Sequence, residues 1–309
     1  MHRLIALASV LTVITLTSTA AISAQPLKVV ASFSIIGDFA KNVGGDRIEL
    51  TTLVGPDGDA HVYEPSPADA VTMSKADVVL VNGLQYEGFL QRLVDASATK
   101  ASIVELTNGI DPLDMAVGHE HEGNGAAVNH HQGGLDPHAF QSVANAKVYV
   151  GNIAGAFCAA DAAGCDVYKA NAERYTAELG AAEAYIEASV EAIPADQRTI
   201  ITSHDAFGYF ENAYGLTFLA PEGISTEAEA SAADVAALIR QVREEKASAI
   251  FVENITNPRL IEQIAAETGV TVGGTLYSDA LSKAGGPAPT YIDMMKNNIG
   301  TIRGAILGS

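Results

Sequence analysis

The chain has no tryptophan, only two cysteines, and 18 basic residues against 37 acidic ones, for a formal charge of −19. So few lysines and arginines exclude a nucleic-acid binder or a protein that docks on an anionic membrane, because either partner would repel the chain at long range. Small cations would be drawn to it. Enzyme motifs are absent too: there is no H-E-x-x-H, G-x-S-x-G, Walker or G-x-G-x-x-G pattern. A zinc hydrolase would need three protein ligands, an open position for water and a general base, so an enzyme is not expected. The 309 residues, 48% hydrophobic and 18% charged, suit a globular protein with one large or two medium domains and exclude disorder or a fibre.

Residues 1–24 read as a secretory signal peptide. Met1-His2-Arg3 is a short positive start, Leu4 to Leu16 is mostly apolar and uncharged, and Thr17 to Ala24 is small and weakly polar. Such a segment is too short for a stable membrane span. Cleavage is expected after Ala24, with Ala20 or Ala21 as alternatives. It would remove one basic residue and one His, leaving a net charge of about −20. No Cys stands near that region to take a lipid, so the expectation is a soluble periplasmic protein without a lipid anchor. In an oxidising compartment Cys158 and Cys165 are expected to form a disulfide, whose short loop would contribute about 2 kcal/mol. A thiolate metal site is the alternative, but it lacks nearby His.

Apolar, β-branched runs alternate with helix-period segments, which implies parallel βαβ units and an α/β fold. The strands are expected at Leu27–Phe33, Ile48–Val54, Val78–Asn82 and Ser102–Leu106, then at Thr199–Ser203, Leu216–Ala220, Ala249–Glu253 and Val270–Tyr277. Capping-box patterns at Ser66/Asp69 and Ser231/Asp234 open helices, and a last helix opens at Thr290. Between the two sets, Asp166 to Ala192 is helical, with Tyr168, Ala172, Tyr175, Leu179, Ala182, Ile186 and Val190 at helical spacing. At 1.5 Å per residue it is a rod of about 40 Å. The expected organisation is an N-terminal α/β lobe over 25–165, a linking helix over 166–193 and a C-terminal α/β lobe over 194–309. One segment, 114–134, fits neither pattern: it is Gly-rich and carries His119, His121, His130 and His131.

The other histidines of the mature chain stand alone. His61 follows a strand in Gly58-Asp59-Ala60-His61, His138 precedes a helix in Asp136-Pro137-His138, and His204 directly follows the strand ending at Ser203. Asp279 stands after the last strand in Tyr277-Ser278-Asp279. Open α/β sheets bind ligands beyond the carboxyl ends of their strands, and all four residues stand there. Singly, each reads as a surface, core or capping residue. Together, three imidazoles and one carboxylate are a complete tetrahedral zinc set. Asp136 and Asp205, each beside a ligand candidate, either orient an imidazole or cap a turn. Glu227 and Glu229 read as solvated helix-start residues.

These stretches, with Val29-Val30-Ala31-Ser32-Phe33-Ser34-Ile35-Ile36-Gly37-Asp38, resemble the zinc and manganese solute-binding proteins of ABC importers, the cluster A-I family, over nearly all of the mature chain. The sequence looks most like its zinc-importing AztC-type branch. The resemblance implies two lobes, each with a four-stranded, mainly parallel sheet, joined by one long rigid helix. It also implies a metal held by His61, His138, His204 and Asp279. The manganese branch typically carries Glu at the third place, so nitrogen from His204 favours Zn²⁺. The implied partners are an ABC permease with its ATPase, with a periplasmic zinc chaperone as a further candidate, and the implied state is a monomer. Zinc would then be cargo, with the loop histidines His119, His121, His130 and His131 capturing or passing it on. Manganese binding and a metal-binding adhesin are the alternative readings.

Overall fold

The computed structural model describes residues 25–114, 134–228 and 230–308. The signal segment, the loop histidines His119, His121, His130 and His131, and Glu229 lie outside the described residues. β1 (Leu27–Phe33), β2 (Ile48–Val54), β3 (Val78–Val81) and β4 (Ser102–Glu105) form a parallel sheet in the order β2-β1-β3-β4. The second half repeats this with β5 (Thr199–Ile201), β6 (Thr217–Leu219), β7 (Ala249–Glu253) and β8 (Val272–Leu276), in the order β6-β5-β7-β8. The expected α/β class with two four-stranded sheets is therefore what the chain adopts.

The buried strands read as continuous apolar runs because helices cover both faces. Val78 to Val81 and most of β1 are buried. The first half adds α1 (Ser34–Gly44), α2 (Pro67–Ser74), α3 (Leu90–Ser97) and α4 (Val143–Ala160), and the second half α6 (Gly208–Tyr214), α7 (Ala232–Glu245), α8 (Arg259–Thr268) and α9 (Tyr291–Leu307). Both expected capping boxes form, Ser66 with Asp69 and Ser231 with Asp234, each satisfying backbone N–H groups that a helix start leaves free.

Between the halves, α5 (Cys165–Glu191) runs for 27 residues, and its row of Tyr168, Tyr175, Leu179, Ile186 and Val190 is buried. It packs on α1 and α4 of the first half and on α6 and α9 of the second. One continuous core consequently spans both halves, from Phe33 and Phe140 to Phe207 and Tyr291. A smaller core beneath α7 and α8, including Leu238, Val242, Ile261 and Ile264, belongs to the second sheet alone. A disulfide joins Cys158 near the end of α4 to Cys165 at the start of α5, as expected. Among the described residues no helix is long and apolar enough to cross a membrane.

Five strands are shorter than the sequence indicates: β4 ends before Leu106, β6 lacks Leu216 and Ala220, and β3, β5 and β8 are cut back where other contacts take over. β3 stops before Asn82, whose side chain turns to donate to the Pro137 carbonyl at 2.8 Å and to accept from the Tyr149 hydroxyl. β5 ends at Ile201, before the turn that carries His204. β8 starts at Val272, where its pairing with β7 shifts register beside Ile250 and Phe251. Gly273 is required there, since a Cβ would stand 2.6 Å from both Phe251 and Ala305.

The described residues on either side of 115–133 meet. Asp114 and Leu135 form an antiparallel bridge, and the Asp136 N–H donates to the Leu113 carbonyl at 2.8 Å. Tyr209 ties both ends to the second half: its hydroxyl donates to the Asp136 carbonyl and accepts from the Leu113 N–H.

Candidate metal centre

Every residue of the site stands at or beyond the carboxyl end of a strand. His61 lies in the turn after β2, where its backbone N–H donates to Asp59 Oδ1 at 2.9 Å. His138 uses the same device: Asp136 Oδ1 accepts its backbone N–H at 2.9 Å and lies 2.8 Å from its Nδ1. In both cases an Asp two residues upstream folds a small turn that points the imidazole inward.

His204 is held differently. Glu253, the last residue of β7, accepts the backbone N–H groups of Ser203 and His204 on Oε1 at 2.7 and 2.9 Å. Its Oε2 lies 2.7 Å from His204 Nδ1, in a contact bent from ideal hydrogen-bond alignment. The carboxylate facing this ring is therefore Glu253, while Asp205 donates its backbone N–H to the Gly223 carbonyl. Asp279 follows a segment clamped from two sides. The Asn298 side chain bonds both the N–H and the carbonyl of Tyr277, and Gln141 donates from the other half to the Ser278 carbonyl at 2.6 Å.

The four side chains converge. His61 Nε2 lies 3.1 Å from Asp279 Oδ2, His204 Nε2 3.2 Å and His138 Nε2 3.6 Å, while His61 and His138 bring their Nε2 atoms to 3.3 Å. All four ligand atoms lie within 4.8 Å of one another. A tetrahedron with metal–ligand arms of 2.0–2.1 Å has edges of about 3.3 Å, so the close contacts match the spacing of a four-coordinate zinc shell. His61 is 7% exposed and the other three are fully buried, which places the mouth of the site at His61. Beyond it lies a cavity of about 380 Å³ lined by His61, Tyr86, Leu135, Pro137, Ile224 and Glu227. Glu227 is exposed on that wall, ahead of α7 rather than at its start.

The electrostatics favour a cation. Burial opposes protonation of His138, yet Asp279 and Asp136 outweigh it and lift its pKa to about 9. Burial likewise opposes charge on His204, but Glu253 and then Asp279 raise its pKa well above the usual imidazole value. Burial would raise the Asp279 pKa, whereas His138 and His204 hold it well below the carboxylate range. Without metal the carboxylates therefore draw protons onto the imidazoles, and a divalent cation would displace them.

Two supporting residues carry no motif. The Tyr86 ring stands edge-on at 4.8 Å from His61 and 5.8 Å from His138, with its hydroxyl buried and without a hydrogen-bond partner among the described residues. Glu87, also buried, accepts from the Ser32 hydroxyl and the backbone N–H groups of Asn82 and Gly83. Asn82 in turn holds the carbonyl of Pro137, beside His138. A polar residue beyond the carboxyl end of β3 is the one sequence signal for Glu87, and Glu253 at the end of β7 carries the same signal.

The family described as "ZnuA: Zinc-uptake complex component A periplasmic" matches residues 29–305. A manganese-binding lipoprotein, MntA of Halalkalibacterium halodurans, is 36% identical over 277 residues, covering 90% of this chain and 87% of its own. The iron-binding protein YfeA of Yersinia pestis is 33% identical, covering 97% of this chain and 95% of its own. Among solved structures, the periplasmic zinc-binding protein TroA of Treponema pallidum superposes with a TM-score of 0.81 at 28% identity, covering 92% of this chain and 99% of that one. These relatives are described as binding manganese, iron or zinc, so they leave the choice of metal open and do not single out an AztC-type branch. Fold, site and matches agree that this chain belongs to the ZnuA family, as the extracytoplasmic, divalent-metal-binding solute-binding component of an ABC transporter and not an enzyme.

Proposed function

We propose that the chain is a periplasmic zinc-binding protein of the AztC type, which holds one Zn²⁺ on His61, His138, His204 and Asp279 and delivers it to the permease and ATPase of an ABC importer. The observation that carries this reading is the convergence of three Nε2 atoms on Asp279 Oδ2 at 3.1 to 3.6 Å. Three imidazoles and one carboxylate suit zinc, whereas manganese prefers a larger share of oxygen. With two ligands from each half, separation of the lobes would break the shell, which supports release by docking on the permease. In this reading 1–24 is a cleaved leader, 25–165 and 194–309 are the lobes, and 166–193 connects them. The loop histidines His119, His121, His130 and His131 capture zinc or receive it from a chaperone, since Asp136, two residues from His138, is pinned at the base of their segment.

One observation favours a manganese reading: Asp279 Oδ1 is buried without a hydrogen-bond partner among the described residues and offers a second carboxylate oxygen. Metal-stripped protein, titrated with zinc and with manganese against a competing chelator, separates the two. The zinc reading expects one tight zinc equivalent that manganese does not displace; tighter manganese binding overturns it.

A further inference from the structure

The His204–Glu253 pair differs from its counterparts. At His138 a single oxygen, Asp136 Oδ1, serves both the backbone N–H and Nδ1, and at His61 Asp59 Oδ1 takes the backbone N–H. At His204 the two oxygens of Glu253 divide the work: Oε1 accepts two backbone N–H groups, and Oε2 faces Nδ1 at 2.7 Å, out of ideal hydrogen-bond alignment. Both side chains are fully buried. A neutral imidazole carries one proton, so a group that only accepts at Nδ1 keeps the proton there and leaves the lone pair on Nε2. That Nε2 faces Asp279 Oδ2 at 3.2 Å.

We propose that Glu253 is a positioning residue that locks His204 in the Nδ1–H tautomer and so presents the Nε2 lone pair to the metal. The proposal rests on the reading of His204 as a ligand. Its sharpest consequence concerns the isosteric amide. In Glu253→Gln one oxygen must serve three donors. If that oxygen stays on the two backbone N–H groups, the NH₂ faces Nδ1, which must then accept, and the proton moves to Nε2, where it blocks ligation. If the amide turns over, the NH₂ confronts two backbone N–H groups, donor against donor. Neither arrangement satisfies the site.

The test is a double-mutant cycle read by zinc affinity in chelator competition, on full-length mature protein. Glu253→Gln alone is expected to weaken zinc binding 10–100-fold, in the usual range for loss of an outer partner of a ligating His. In a His204→Ala background the same substitution is expected to have no further effect. An equal loss in both backgrounds assigns Glu253 a merely structural part and overturns the proposal. So does wild-type affinity in Glu253→Gln when His204→Ala is weakened. Unchanged affinity in His204→Ala defeats the ligand reading itself. A second readout needs no variant: long-range ¹H–¹⁵N spectra of the zinc-loaded wild type should place the His204 proton on Nδ1, and a proton on Nε2 overturns the proposal.

Discussion

The two halves share one sheet order but hold their ligands by opposite means. In the first half each His is set by an Asp two residues upstream, in Asp59-Ala60-His61 and Asp136-Pro137-His138. In the second, His204 depends on Glu253, 49 residues away, and the segment leading to Asp279 is clamped by Asn298 of α9 and by Gln141 of the other half. A local turn can form wherever its few residues lie, whereas the second pair exists only once β5 has paired with β7 and α9 has docked. The site is thus a locally built pair of histidines completed by a pair that reports on the packing of the second lobe.

Substitutions can sharpen or break this contrast. The largest effect is expected from Asp279→Ala, which removes the oxygen that all three imidazoles face; zinc affinity measured by chelator competition should fall by more than about 100-fold, exceeding the loss of an outer partner. A loss below about 10-fold would remove Asp279 from the ligand set.

Next in size is a pH effect on metal-free protein. The His138 pKa is raised from 6.5 to about 9 in the fold, so its contribution to stability is fully present below about pH 6.5 and is lost as pH rises through about 9. A shift of this size corresponds to roughly 3 kcal/mol. His204 adds a loss of the same sign over the alkaline range. Asp279 works in the opposite sense: its contribution is present above the ordinary value of 3.8 and is lost as pH falls through its depressed native value. Thermal melts of stripped protein should therefore decline from pH 6.5 to 9, while zinc-loaded protein, whose imidazoles are already deprotonated, should decline less. Parallel curves would contradict the proton–metal exchange.

A smaller effect is expected of Asp136→Asn. One oxygen at that place accepts both donors of His138, so an amide can keep both bonds, and the loss of zinc affinity should stay below about 10-fold, less than for Glu253→Gln. Equal losses in the two variants would erase the distinction between local and distant support. Least affected should be zinc binding after replacement of Cys158 and Cys165 by Ser. Denaturant unfolding should show a loss of about 2 kcal/mol, from opening a short loop between α4 and α5, with zinc affinity unchanged.

The same contrast explains what the sequence discloses. β1, β2 and β7, both capping boxes and the rod of α5 follow from local pattern, and the chain adopts them within a residue. His61, His204 and Asp279 are recognisable because each follows a strand, and His138 because it precedes a helix in Asp136-Pro137-His138. Glu253 is not, because only the β5–β7 register, with Ile201 opposite Ile250, carries it to His204. Asp205, adjacent in sequence, is the carboxylate that local pattern offers beside His204, whereas Glu253 Oε2 is the one that lies 2.7 Å from Nδ1. Tyr86 and Glu87 escape notice for a similar reason, since their partners Ser32, His61 and His138 come from three separate segments.

A closed four-coordinate zinc shell drawn equally from both halves is tested most directly by zinc-edge X-ray absorption on protein loaded with one zinc. Four nitrogen and oxygen ligands at about 2.0–2.1 Å are expected, with the outer scattering of three imidazoles. Two imidazoles, or a shell of five or six ligands, would contradict it.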